Sequence, residues 1–124
     1  MGKRNKHDGS FSPQARQLIY DRDGGACIVC GRPAEQVHHR RPRSSGGTSL
    51  EWVGSASNGI CLCAEHHASI ESDRLHAKSR GWIIPATWKT TPMDTPCFYP
   101  VLGLSFFLDE DGAMREAPTD DPNF

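Results

Sequence analysis

Two residue pairs with the same short step constrain this chain most. Cys27 and Cys30 have two residues between them, and so do Cys63 and His66. That step lets both side chains of a tight turn reach one ion, so two such pairs supply the four donors of a tetrahedral site. The set Cys27, Cys30, Cys63 and His66 therefore points to a structural Zn2+. Cys61-x-Cys63 is a competing pair, but one intervening residue chelates poorly. The alternative is that the cysteines are buried as small hydrophobes, as free Cys often is. Cys61 is read that way, in the core or beside the zinc, and Cys97 as a packed free thiol. Five cysteines cannot all pair within the chain. The basic start of the sequence continues into polar residues rather than an export signal, so a reducing cytoplasm and metal ligation are expected.

A bound ion answers a need of the composition. The chain has 124 residues, 36% hydrophobic and 8% aromatic, with 21 Gly and Pro. This describes one small, loop-rich domain whose core is marginal unless an ion adds several kcal/mol. No apolar run approaches the roughly 18 residues of a membrane span. The net charge of −1 excludes a uniformly basic, DNA-coating protein. The charge is uneven, however. Residues 109–124 carry six acids and one base, a net of −5, which leaves +4 on residues 1–108. A mildly cationic body with an acidic tail suits a protein that meets a polyanion locally.

Local signals place the motifs. Residues 1–10 read as a flexible basic arm. Ser12-Pro13 is a helix start and Gly24-Gly25 its stop. Residues 36–40 and 60–63 suggest two short strands, joined by a long Gly-, Ser- and Pro-rich loop over 41–58. Residues 64–80 suggest a helix ended by Gly81. Residues 82–100 read as irregular, and 101–108 with the Gly112 turn as a terminal hairpin.

A second constellation surrounds these elements: His38-His39 on the first strand, Asn58 at the end of the loop, and His67 directly after His66. Neighbours on a helix point in different directions, so His66 can face the zinc while His67 faces the opposite cavity. His39 suits proton abstraction near neutral pH. A divalent ion on His38 and His67 could polarise a phosphate oxygen, and two protein ligands leave room for substrate. Mg2+, Mn2+, Ni2+ and Zn2+ all suit such a pair. Glu71, one turn after His67, could be a third ligand, although a solvated acid is the commoner role of such a residue. Arg40, Arg41 and Arg43 are candidates for DNA backbone contacts, or a solvated loop edge. Arg74, Lys78 and Arg80 could widen that patch. Trp82 is read as core; Trp52 and Trp88 could stack on bases.

In order, Cys27-x2-Cys30, Val37-His38-His39-Arg40, Ser45-Gly46-Gly47, Asn58 and Leu62-Cys63-x2-His66-His67 resemble the HNH nuclease motif with its zinc hairpin, over roughly residues 12–85. Arg22 to Cys30 and Gly81-Trp82 look like the small HNH proteins of bacteriophages. His66 stands where the family usually has a fourth Cys, which zinc tolerates. The resemblance implies a small α+β fold: a ββα-metal (His-Me finger) motif with its zinc site, preceded by a helix and followed by a C-terminal hairpin. It implies that His38 and His67 bind the catalytic metal, that His39 is the general base, and that Asn58 braces the loop. It implies an HNH endonuclease or nickase over 11–108, leaving 5′-phosphate and 3′-hydroxyl ends, with 109–124 as an acidic turn and tail. Its partners would be DNA, with weak sequence preference, and phage packaging or replication proteins. The alternative is a non-catalytic zinc-stabilised module that binds DNA or protein.

Overall fold

Ser12 starts the first helix as its neighbours predict. Its hydroxyl accepts the Ala15 N–H at 3.1 Å, and Pro13 occupies the first turn of α1 (Pro13–Arg22). Gly24 and Gly25 take φ of 68° and 66°, which ends the helix at low steric cost. α1 buries Ala15 and Ile19. In the computed structural model, residues 8–43 and 50–118 are described. Met1 to His7, the Ser45-Gly46-Gly47 stretch of the loop and the acidic end from Thr119 onward lie outside them.

β1 (Gln36–His39) and β2 (Gly59–Leu62) pair antiparallel, with His38 opposite Ile60 and His39 opposite Gly59. The expected strand at 36–40 ends one residue early, where the Arg40 N–H still donates to the Asn58 carbonyl at 2.8 Å. Strand alternation gives the hairpin two buried faces. Ile60 and Leu62 enter one core, with Ile28, Ile70, Trp82 and Leu108. Cys61 enters the other, with Phe11, Ala15 and Ile19. Two short 3-10 turns, Glu51–Gly54 and Ala56–Asn58, lead the loop back into β2.

The helix expected over 64–80 is two helices, α2 (Ala64–Ser72) and α3 (Arg74–Ser79). Asp73 separates them. Its backbone leaves the helical region (φ −139°), and its carboxylate caps the His76 N–H at 3.2 Å. Asp competes for backbone donors in this way, so it favours helix starts over helix interiors.

The terminal hairpin gains a third strand. β3 (Cys97–Tyr99), β4 (Leu104–Leu108) and β5 (Met114–Glu116) form an antiparallel sheet in chain order. Residues 109–118 are therefore part of the folded body rather than an appendage, and Ala117 is buried. Hydrogen bonds join this sheet to the rest on two sides. The Phe98 N–H donates to the Arg80 carbonyl and the Trp82 Nε1–H donates to the Phe98 carbonyl, both at 2.8 Å. The Val101 N–H donates to the Ile28 carbonyl, and the Tyr99 hydroxyl donates to Asp23 at 2.6 Å. Asp23 also accepts from the Cys61 N–H and from Arg22, whose guanidinium reaches the Ala56 and Gly59 carbonyls. Among the described residues, no helix is long and apolar enough to cross a membrane.

Candidate functional site

The cysteine-bearing turn is shaped by its own backbone. Cys27 receives the Gly31 N–H on its carbonyl and donates its own N–H to Arg32, both at 2.8 Å, and Gly31 supplies the positive φ that the reversal needs. Cys63 lies at the junction of β2 and α2, so His66 falls in the first helical turn. The ligand atoms of Cys27, Cys30, Cys63 and His66 all lie within 4.8 Å of one another. Cys30 Sγ is 3.8 Å from Cys63 Sγ, and His66 Nδ1 is 3.8 Å from Cys27 Sγ and 3.2 Å from Cys63 Sγ. A tetrahedral ion with metal–sulfur bonds of ~2.3 Å and metal–nitrogen bonds of ~2.05 Å needs separations of about 3.8 and 3.6 Å. The donors thus stand at ligand spacing and can hold a metal ion, and their softness suits zinc.

Arg32 lies against the same sulfurs. Its Nε donates to Cys30 Sγ at 3.3 Å and its Nη2 to Cys63 Sγ at 3.4 Å, while Glu65 accepts from Nη2 at 2.9 Å. The Cys30 thiol is held down near 6, chiefly by the Arg32 hydrogen bond, so it is a thiolate at neutral pH. Cys61 is excluded from the set. It lies on the opposite face of β2, with its sulfur toward the Ile19 carbonyl, and burial pushes its thiol well up. Cys97 is fully buried, and burial raises its thiol to about 11.

His38 and His67 meet on the other side of α2. Their rings stand edge to face with centroids 5.2 Å apart. His38 Nε2 lies 2.8 Å from the Trp82 carbonyl, which can only accept, so Nε2 carries the proton and Nδ1 keeps its lone pair. Burial lowers the His38 pKa to about 4, so the ring is neutral. Glu71 is exposed and bonded to Arg74 at 2.8 Å. Among the described residues, only the cysteine set brings three or more Cys, His or acidic ligand atoms together. His38, His67 and Glu71 are not such a cluster.

His39 points to the opposite face from His38, as alternation along the strand requires. It stacks on Phe11 with ring centroids 3.9 Å apart, and its Nε2 donates to the Gly9 carbonyl at 2.7 Å. Burial lowers its pKa, so it too is neutral. The structure therefore brings His38 and His67 together and sets His39 against the N-terminal segment. Asn58 is buried and joins the loop to itself: it accepts the Arg41 N–H at 2.8 Å and donates to the Arg41 and Val53 carbonyls.

Arg40 requires a correction. Expected at a DNA backbone, its side chain is fully buried. Its guanidinium donates to the carbonyls of Gly81, Ser57, Pro92 and Thr95. Strand alternation carries the signal, because Arg40 is two residues beyond His38 and so shares its inward face. Arg41 is half-buried and Arg43 is exposed. Arg41 lies over Trp52, 5.5 Å from the ring centre, and Arg43 pairs with Asp8. Trp82 is core and Trp88 is exposed. Compared with protein-family models, with curated proteins and with solved structures, the chain matches none.

Proposed function

We propose that this chain is a metal-dependent DNA endonuclease of the HNH type, in which β1, β2 and α2 form the ββα-metal motif and the Cys3His set holds a structural zinc. The observation that carries this reading is the His38–His67 pair. The two imidazoles come from the hairpin and the helix that the cysteine set ties together. His38 has its Nε2–H fixed on a backbone carbonyl, the outer hydrogen bond by which metal-binding histidines are oriented. His38 Nδ1 and His67 are the residues that would hold the catalytic ion, which when bound would supply charge stabilisation at a phosphate oxygen.

His39 is the base in this scheme. Its Nε2–H is committed to Gly9, so Nδ1 accepts the proton of the attacking water. The water oxygen bonds to phosphorus as the P–O3′ bond breaks, and the 3′ oxygen takes a proton from solvent. The ends produced are a 5′-phosphate and a 3′-hydroxyl. Asn58 clamps the loop that follows His39.

One observation favours the second reading, a zinc-stabilised binding module: His39 faces Phe11, away from the His38–His67 pair. Plasmid nicking by the full chain in Mg2+, Mn2+, Ni2+ or Zn2+ separates the two. The nuclease reading expects nicking in at least one metal. His39→Ala and His67→Ala should each lower it at least ~100-fold, the scale of one general base, with bound structural zinc unchanged. Duplex binding without nicking in any metal would establish the module instead.

A further inference from the structure

A cleft of about 380 Å³ opens between the segment after β1 and helix α3. Arg41 and Arg43 line one side and Arg74 and Lys78 the other, and Pro85 and Thr87 form a wall. Among the described residues, none that lines it is acidic. The volume is more than ten times a water molecule's share of liquid, about 30 Å³, so it exceeds the needs of one small anion.

The cleft is connected to the histidine pair through shared chain. Arg74 is bonded to Glu71, one helical turn beyond His67. The Ile84 N–H donates to the Arg40 carbonyl at 2.8 Å, which ties the far wall to the end of β1. The buried Arg40 guanidinium holds the Gly81 carbonyl in the same 81–85 segment, and Trp82 of that segment accepts from His38. Arg40 thus braces that segment from the interior and does not itself line the cleft. Three of the four cations that do are held in place: Arg41 by Trp52, Arg43 by Asp8 and Arg74 by Glu71. Guanidinium forks fixed before a ligand arrives suit phosphate oxygens, which accept two hydrogen bonds from one fork.

We propose that this cleft is the track for a DNA phosphodiester backbone leaving the histidine pair, with Arg74 and Lys78 of α3 as phosphate contacts beside Arg41 and Arg43. The proposal rests on the nuclease reading and adds to it the side of the molecule on which the strand lies.

Fluorescence anisotropy of the full chain with a short labelled duplex, titrated over a series of KCl concentrations, tests it. Each phosphate contact contributes roughly 0.9 to the slope of log affinity against log salt. The double variant Arg74→Gln with Lys78→Gln should lower the slope by roughly 2 and weaken binding roughly tenfold at physiological salt. Arg115→Gln, on β5 and over Phe107 of β4, is the control of the same substitution and should leave the slope unchanged. Thermal unfolding of each variant checks that it is folded. If the wild type nicks plasmid while the double variant keeps the wild-type slope, or loses no more than Arg115→Gln does, the track is overturned and the nuclease reading stands. If the wild type binds an acidic peptide with the same salt dependence and neither binds nor nicks DNA, both fall.

Discussion

Arg40 takes a guanidinium into the interior and spends it on four backbone carbonyls from three separate stretches of chain. A planar fork with five N–H donors can satisfy that set, whereas an ammonium has three donors and no plane. Each buried acceptor left unpaired costs about 1–3 kcal/mol. Arg40→Lys should therefore destabilise the fold by about 3 kcal/mol in urea unfolding; a variant as stable as the wild type would mean the carbonyls find other donors. His38 gives a pH-dependent counterpart. Its pKa falls from 6.5 to about 4 on folding because burial disfavours the imidazolium. Between those values the unfolded chain binds the extra proton, so this contribution is complete above pH 6.5 and is lost as pH falls toward 4. Against a His38→Gln variant, the wild type should lose about 3 kcal/mol over that window. Parallel curves for the two would show that the ring takes up its proton as easily in the folded chain. The two side chains also differ in how far the sequence discloses them. The residue type of His38 suggested chemistry, and it lies beside His67. Arg40 looked like a surface cation because it stands in a run of arginines, and only its register on the strand, two places from His38, marks it as buried.

At the scale of elements, the legible parts are those whose signals are local. Ser12-Pro13 and Gly24-Gly25 bound α1, because a cap and a stop are decided within one turn of helix. The cysteine turn is legible for the same reason, since its spacing of two intervening residues is the chelating geometry itself. The break between α2 and α3 was within reach, as Asp73 is a poor interior residue and a good cap, but Ile70 and Ala77 lie on both sides of it and read as one apolar face. β3 was not legible. Cys97–Tyr99 is three residues long, sits among prolines, and becomes a strand because β4 pairs with it. The placement of His39 is the same kind of case. Alternation predicts that it opposes His38, but the carbonyl it bonds to, Gly9, arrives from a segment whose sequence reads only as a polar arm.

For the molecule as a whole, the cysteine ligands are core as well as donors. Cys27 and Cys63 belong to the cluster that contains Ile28, Ile60, Leu62, Ile70, Tyr99 and Leu108, so the hairpin, the helix and the second sheet share one interior with the metal set. A structural zinc contributes on the order of 10 kcal/mol, comparable with the whole stability of a small domain, about 5–15 kcal/mol. Removing an ion held by this set therefore should not merely loosen the Cys27–Cys30 turn. The second sheet is bonded to the cysteine turn and its approach by Tyr99 on Asp23 and Val101 on Ile28, and to the end of α3 and Trp82 through Phe98. Chelation should unfold the chain in a single transition. Cys97 and Cys61 report this directly, because neither belongs to the ligand set and both are buried in the folded chain. On metal removal, all five thiols should react with a chromogenic disulfide at one rate. If Cys27, Cys30 and Cys63 react while Cys61 and Cys97 stay protected, the ion is only a local staple, and the core holds the two sheets together without it.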